Sequence, residues 1–320
     1  MTDRKSGIFV LLLTIVLVCG CTAHRAAPAV QGDKITVYTS FYTMYDFAQK
    51  IGGDKVNIIN MVPSGMEPHD WEPSPKDIAG LSGADLFIYN GAGMEGWADK
   101  VLDSIGSSKL IAVETTKDIP MEKATQTHSE HTDEHDEDYN GDFYEGFEYD
   151  PHVWLNPMNA KLQMKAIRDG LIQADPRNSS FYQERFEDYS GRLDALDQAY
   201  SLAAAGFMKK EIVVSHEAFG YLCHAYGLEQ LAIKGISSDS EPTPGRMAEM
   251  IDFVREHEVK VIFFEELASP KVAEAIARET GARTMLLNPL EGLSEENLRA
   301  GKDYFSVMEE NLEALKQALQ

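Results

Sequence analysis

Cysteine is nearly absent. The 320 residues hold three, two of them in the first twenty-one positions (Cys19 and Cys21) and one, Cys223, in the body of the chain. An intrachain disulfide is thereby excluded after the leader, short of a pairing of Cys223 with Cys21. Cys223 stands among Tyr221, Leu222 and Ala225, the setting of a small core residue. Positive charge is also scarce. Lys and Arg number 29 against 52 Asp and Glu, a formal net charge of −23. That balance argues against nucleic acid as a partner, because phosphates need a basic surface. It suits a soluble surface that attracts cations. The apolar run Ile8 to Val18 is eleven residues long, too short to cross a bilayer comfortably. Two catalytic signatures are missing a part. Gly91-Ala92-Gly93 lacks the third glycine of a dinucleotide fingerprint and reads as a turn. His216-Glu217 lacks the second histidine of a zinc-protease helix: Gly220 stands four residues on and His224 eight.

What is present begins with an export leader. Arg4 and Lys5 supply its positive end, Ile8 to Val18 its apolar stretch, and Val18-Cys19-Gly20-Cys21 its close. That close resembles a bacterial lipobox, in which Cys21 is lipidated and becomes the mature N-terminus. Cys19 within the box departs from the usual pattern, and the bland alternative is an ordinary cleaved signal. Residues 1–21 are thus the signal peptide and 22–33 a tether.

From Lys34 the pattern alternates strand and helix. Strands are expected at 35–39, 56–61, 85–89 and 110–113, with helices at 41–51, 96–105 and one opened by Ser74 and Pro75. Helices follow over 158–173 and 179–207, the second long enough to connect two lobes. A second alternation runs from 211: strands at 211–215, 231–233, 260–264 and 283–287, and helices at 217–226, 244–257, 270–280 and 294–319. This is the rhythm of parallel sheets covered by helices. The chain divides into an N-terminal α/β lobe (34–178), a connecting helix (179–207) and a C-terminal α/β lobe (208–320). Residues 123–150 interrupt the first lobe. The run His128 to Asp138 has almost no apolar content and forms a loop. His128, His131 and His135, mixed with carboxylates, could collect divalent metal weakly; the bland reading is a solvated insertion.

Three histidines share a placement. His69 lies in Glu67-Pro68-His69-Asp70 after the second strand, His152 between Pro151 and Pro157, and His216 directly after an apolar strand. In open α/β sheets, ligand groups gather past the carboxyl ends of strands. The neighbouring prolines limit the backbone freedom that a rigid ligand must lose. Glu291, just past the last strand, is a fourth candidate. Three imidazoles and a carboxylate suit tetrahedral Zn²⁺, with bonds of about 2.0–2.2 Å, whereas harder ions such as Mn²⁺ favour more oxygen. A lone histidine is usually a satisfied core or surface residue, so the case rests on the repeated placement. His224 and His257 fall within helices and decorate their faces; His24 lies in the tether. Glu265-Glu266, another strand-end pair, suits buried hydrogen bonding or packing between lobes, with support of a metal ligand as a further role.

Four segments together carry a resemblance: Pro63-Ser64-Gly65-Met66-Glu67-Pro68-His69 with Trp71-Glu72-Pro73-Ser74-Pro75, Asp150-Pro151-His152-Val153-Trp154-Leu155-Asn156-Pro157, Ser215-His216-Glu217-Ala218-Phe219-Gly220-Tyr221, and Asn288-Pro289-Leu290-Glu291-Gly292-Leu293. Over nearly all of its mature length the chain resembles the metal-binding lipoproteins of bacterial ABC importers, the cluster of zinc- and manganese-specific binding proteins. The resemblance implies two α/β lobes joined by a rigid helix with the ion between them. It implies His69 and His152 as common ligands, and His216 where manganese-type members carry glutamate. It points to Glu291 as the fourth ligand, although some zinc-type members use water. The acidic histidine loop is similar to that of zinc-type members. The expectation is an extracytoplasmic, lipid-anchored, monomeric Zn²⁺-binding subunit with one tight site. It would deliver metal to an ABC permease driven by its ATPase subunit and catalyse nothing. Two rivals stay open. One is a manganese or iron importer subunit, which His216 argues against. The other is a zinc hydrolase, which needs an open coordination position and a general base. An adhesin role would leave no readable trace.

Overall fold

The computed structural model describes residues 34–106, 109–124, 147–236 and 242–320. The leader, the tether, Cys21, His24, His128, His131 and His135 lie outside them. Lys34–Gln320 forms one compact unit.

The first lobe runs β1 (Ile35–Thr39), α1 (Tyr42–Gly52), β2 (Val56–Asn60), α2 (Pro75–Leu81), β3 (Leu86–Tyr89), α3 (Ala98–Ile105) and β4 (Ile111–Glu114). Two long helices follow, α4 (Pro157–Ala174) and α5 (Ser179–Ala204). The second lobe runs β5 (Glu211–Val214), α6 (Gly220–Tyr226), β6 (Glu229–Ala232), α7 (Pro244–Glu256), β7 (Val261–Phe264), α8 (Lys271–Thr280), β8 (Arg283–Leu286), α9 (Glu295–Arg299) and α10 (Tyr304–Leu319). Each lobe carries a four-stranded parallel sheet, ordered β2-β1-β3-β4 in the first and β6-β5-β7-β8 in the second. The connection reverses direction between β1 and β3, and again between β5 and β7. Such a reversal leaves a crevice beyond the carboxyl ends of the two strands.

Local chemistry sets most boundaries. Ser74 caps α2 in a capping box with Asp77, and Pro75 occupies the first turn. Asn156 caps α4 by accepting from the Met158 N–H. On α4, a Cβ at Gly170 would lie 2.6 Å from Val113 Cγ2, so the helix approaches the sheet as closely as only glycine permits.

Three expectations are corrected. The helix expected from Glu217 begins at Gly220. The amides before it are used elsewhere: Glu217 N donates to Gly235 O, Ala218 N to His216 O, and Phe219 N to Gln230 Oε1. The C-terminal helix is two helices. Gly301, with φ at +77°, breaks it, and Asp303 with Ser306 opens α10 by a capping box. The connecting helix expected to reach 207 ends at Ala204, turning Leu193, Leu196 and Tyr200 inward and leaving Leu202 70 % exposed.

One apolar cluster joins the lobes. It contains Phe41, Phe47 and Trp154 from the first, Tyr200 of α5, and Phe219, Leu287 and Tyr304 from the second. The Phe47 and Tyr304 rings meet edge-on at 4.9 Å, and Lys50 bridges Asp46 of α1 and Asp303 at the start of α10. Separating the lobes would expose this surface at about 25 cal/mol per Å². The shared core therefore opposes large relative motion.

Candidate metal centre

The second lobe's half of the site follows from strand register. Val213 of β5 pairs with Ile262 of β7. Three residues beyond each stand His216 and Glu265, side by side at the reversal point. Glu265 grips the histidine twice: Oε1 accepts from the His216 N–H at 3.2 Å, and Oε2 lies 2.7 Å from ring Nδ1. In the first lobe Asp150 does the same for His152, its Oδ1 lying 2.9 Å from the backbone nitrogen and 2.7 Å from Nδ1. Each carboxylate holds a proton on Nδ1 and leaves Nε2 facing inward.

Glu291 is aimed by its backbone. Leu290, just before it, is fully buried with φ at +62°, a left-handed conformation that costs a non-glycine residue about 1–2 kcal/mol. Its surroundings hold it there. Leu290 N donates to Asn288 Oδ1, and its carbonyl accepts from the Thr43 hydroxyl of α1. Trp154 Nε1 donates to Pro289 O at 2.7 Å, and Asn311 bonds both backbone groups of Asn288. Glu266 accepts from Asn288 Nδ2, Ser294 N and Asn297 Nδ2.

These elements bring His69, His152, His216 and Glu291 together, one donor atom from each, all within 4.8 Å of one another. Glu291 Oε1 lies 2.8 Å from His152 Nε2, 3.1 Å from His216 Nε2 and 3.3 Å from His69 Nε2. The Nε2 atoms of His69 and His152 are 3.2 Å apart. A tetrahedron built on bonds of about 2.0–2.1 Å has edges of about 3.3–3.4 Å. The four donors are spaced to hold one small cation, with side chains almost wholly withdrawn from solvent.

Without a cation the cluster is an ion-pair network. Burial works against a charged His152, but Asp150 and Glu291 outweigh it and hold the imidazole up at about 9. Burial is likewise outweighed at His216, where Glu265 and Glu291 keep the ring well above the usual histidine value. Burial would raise Glu291; the imidazoles, His216 foremost, hold it well below the usual carboxylate range. His69 differs. Burial lowers it, Glu291 only partly offsets that, and ring Nδ1 is buried with no hydrogen-bond partner among the described residues. Burial and the charge of Glu291 push Glu67 up to about 8.

Sequence reasoning singled out the four donors and left Glu265 among several roles. It missed Asp150 as a partner, although an acid two residues before a histidine is the spacing at which a carboxylate reaches both backbone and ring nitrogen. Thr43, Trp154 and Asn311 carried no signal, because their partners are remote in sequence. Cys223 is buried, and burial raises its thiol far above the ordinary value. His224 lies exposed 3.1 Å from Glu122; His257 follows α7 and stacks on Phe253. Neither joins the cluster.

Residues 37–318 match the family described as zinc-uptake complex component A, periplasmic (ZnuA). The chain is 40 % identical over 321 residues to the high-affinity zinc uptake system protein ZnuA of Bacillus subtilis (strain 168), covering all of this chain and 99 % of that protein. It is 36 % identical to the zinc-binding lipoprotein AdcA of Streptococcus pneumoniae, matching 98 % of this chain but spanning 61 % of that longer protein. The crystal structure of the Zn(II)-bound ZnuA-like domain of Streptococcus pneumoniae AdcA superposes with a TM-score of 0.76 at 36 % identity, covering 90 % of this chain and 99 % of that one. Since the match runs through all four donor segments and both sheets, the chain belongs to the ZnuA family, zinc-uptake complex component A.

Proposed function

We propose that the protein is the extracytoplasmic Zn²⁺-binding subunit of an ABC importer. It captures zinc and passes it to a membrane permease driven by a cytoplasmic ATPase. The observation that carries this reading is the cluster of three imidazole nitrogens and one carboxylate oxygen, with Glu291 Oε1 2.8–3.3 Å from each imidazole. His69, His152, His216 and Glu291 are its ligands. A nitrogen-rich set of this kind favours zinc over manganese, which prefers oxygen. Four protein donors close a tetrahedral shell, as suits binding and release, whereas a hydrolase keeps a position open for water.

In this reading the lobes 34–178 and 208–320, joined through 179–207, present the ion at their junction. Residues 1–21 direct export, Cys21 takes the lipid, and 22–33 tether the monomeric protein to the membrane. His128, His131 and His135 of the 123–150 loop collect zinc weakly. Among the described residues no helix is long and apolar enough to cross a membrane.

Competition between zinc and manganese for the full-length chain in detergent, beside His216→Ala and Glu291→Ala, tests the proposal. One tight zinc site, lost in His216→Ala, is expected. Tight zinc binding that survives that change would overturn the assignment.

A further inference from the structure

His152 and His216 are each fixed by a carboxylate at Nδ1; His69 is not, and its Nδ1 is buried without a hydrogen-bond partner among the described residues. Something else must hold its ring. Beyond its contacts with the other donors of the cluster, three features bear on it. Pro68 precedes it, the Glu67 carboxylate accepts from its backbone N–H at 3.3 Å, and the Phe147 ring meets its imidazole edge-on, centroids 5.6 Å apart and planes at 88°.

Phe147 is itself well placed to act as a fixed wall. It stands at the returning foot of the acidic insertion, where the chain closes into a short antiparallel stem. Lys123 pairs with Tyr149, Ala124 N donates to Glu148 O, and Asp150 N donates to Glu122 O. Tyr221 of α6 pins the stem from the second lobe, donating to Asp150 O and accepting from the Glu122 N–H. Phe147 also lies against the turn after β3. There Gly93, with φ at +85°, leaves the space: an added Cβ would come within 3.3 Å of Phe147 Cδ1. One ring thus spans from the β3 turn to the loop-borne histidine. The stem that carries it leads within three residues to Asp150 and, two further on, to His152.

We infer that Phe147 is the positioning residue for His69, its ring fixing the plane of an imidazole that has no hydrogen-bonded orienter at Nδ1 among the described residues and excluding water from that side of the cluster. Resting as it does on the proposed zinc site, the inference assigns to Phe147 the slow release of the ion past His69. Edge-to-face contacts between aromatic rings have a directional preference that an aliphatic side chain cannot supply. Loss of a group that orients a ligand costs about 10- to 100-fold in metal affinity, most of it in the dissociation rate.

The test uses the full-length chain in detergent. Zinc release into excess chelator is followed by stopped flow in wild type and in Phe147→Tyr, Phe147→Leu and Phe147→Ala. Release about tenfold faster in Ala, near wild type in Tyr, and not restored by Leu is expected. Unchanged release in Ala, or full restoration by Leu, overturns the inference. A second readout needs no metal: nitrogen-15 spectra of the imidazoles. In Phe147→Ala the His69 ring signals alone should shift or broaden; all three rings responding, or none, overturns it. If zinc binds wild type and persists in His216→Ala, it is the site assignment that fails, and the two failures are told apart.

Discussion

The three histidines are presented in two different ways. His152 and His216 come from unrelated local structures, a loop leading into a 3₁₀ turn in one lobe and a strand end in the other. Yet each has a carboxylate spanning its backbone nitrogen and ring Nδ1. His69 rides on an irregular loop, with neither carboxylate nor any other hydrogen-bond partner at Nδ1 among the described residues. The first pair is preorganised and holds protons tightly; the third is dry, held by packing, and has its proton affinity lowered. In the proposed site His152, His216 and Glu291 form a floor braced by carboxylates, and His69 is a wall held by packing.

The largest effect should come from removing the floor. His152→Ala or His216→Ala is expected to weaken zinc binding by more than about a hundredfold in chelator competition, beyond what loss of an orienting group causes. Next come the orienting carboxylates themselves. Asp150→Asn and Glu265→Gln keep size but remove charge, and each should cost about 10- to 100-fold in affinity. Glu67→Gln, beside His69, should cost far less; equal losses at all three would erase the contrast.

pH sharpens it further. His152 is raised from 6.5 to about 9 when folded, so zinc must displace its proton at neutral pH, while lowered His69 has none to give up. Affinity should therefore climb with pH up to about 9, well above the window near pH ~6 that ordinary histidines suggest. For the metal-free protein the sign reverses. The contribution of His152 is complete below 6.5 and is lost as pH rises through about 9. That of Glu291, depressed below 4.5, is present above that value and is lost as pH falls through its lower folded value. The rise in Tm on adding zinc should be larger at pH 9 than at pH 6. An equal rise would contradict the charged state assigned to the floor.

The smallest effect concerns Glu291. Thr43→Val removes one hydrogen bond to the Leu290 carbonyl, a loss of about 1 kcal/mol, or roughly fivefold in affinity if all of it falls on the aim of Glu291.

How far this arrangement could be read from the chain depends on the distance over which each feature is encoded. The donors were legible because His69, His152, His216 and Glu291 lie in loops whose proline, strand and turn signals are local. The alternation of strands and helices was legible for the same reason. The partnership of His216 with Glu265 depends on strand register and needed the sheet. The left-handed Leu290 carries no local mark, because leucine has no preference for that conformation; Thr43 and Asn288 impose it. The early start expected for α6 failed because the amides of Glu217 and Phe219 bond to Gly235 and Gln230, which no helical periodicity could show.

X-ray absorption at the zinc edge of the loaded chain is the most direct test of the four-donor site. Four nitrogen and oxygen scatterers at about 2.0–2.1 Å, three of them showing imidazole multiple scattering, are expected, with the oxygen contribution altered in Glu291→Ala. A shell of five or six oxygens, or a spectrum indifferent to Glu291→Ala, would contradict it.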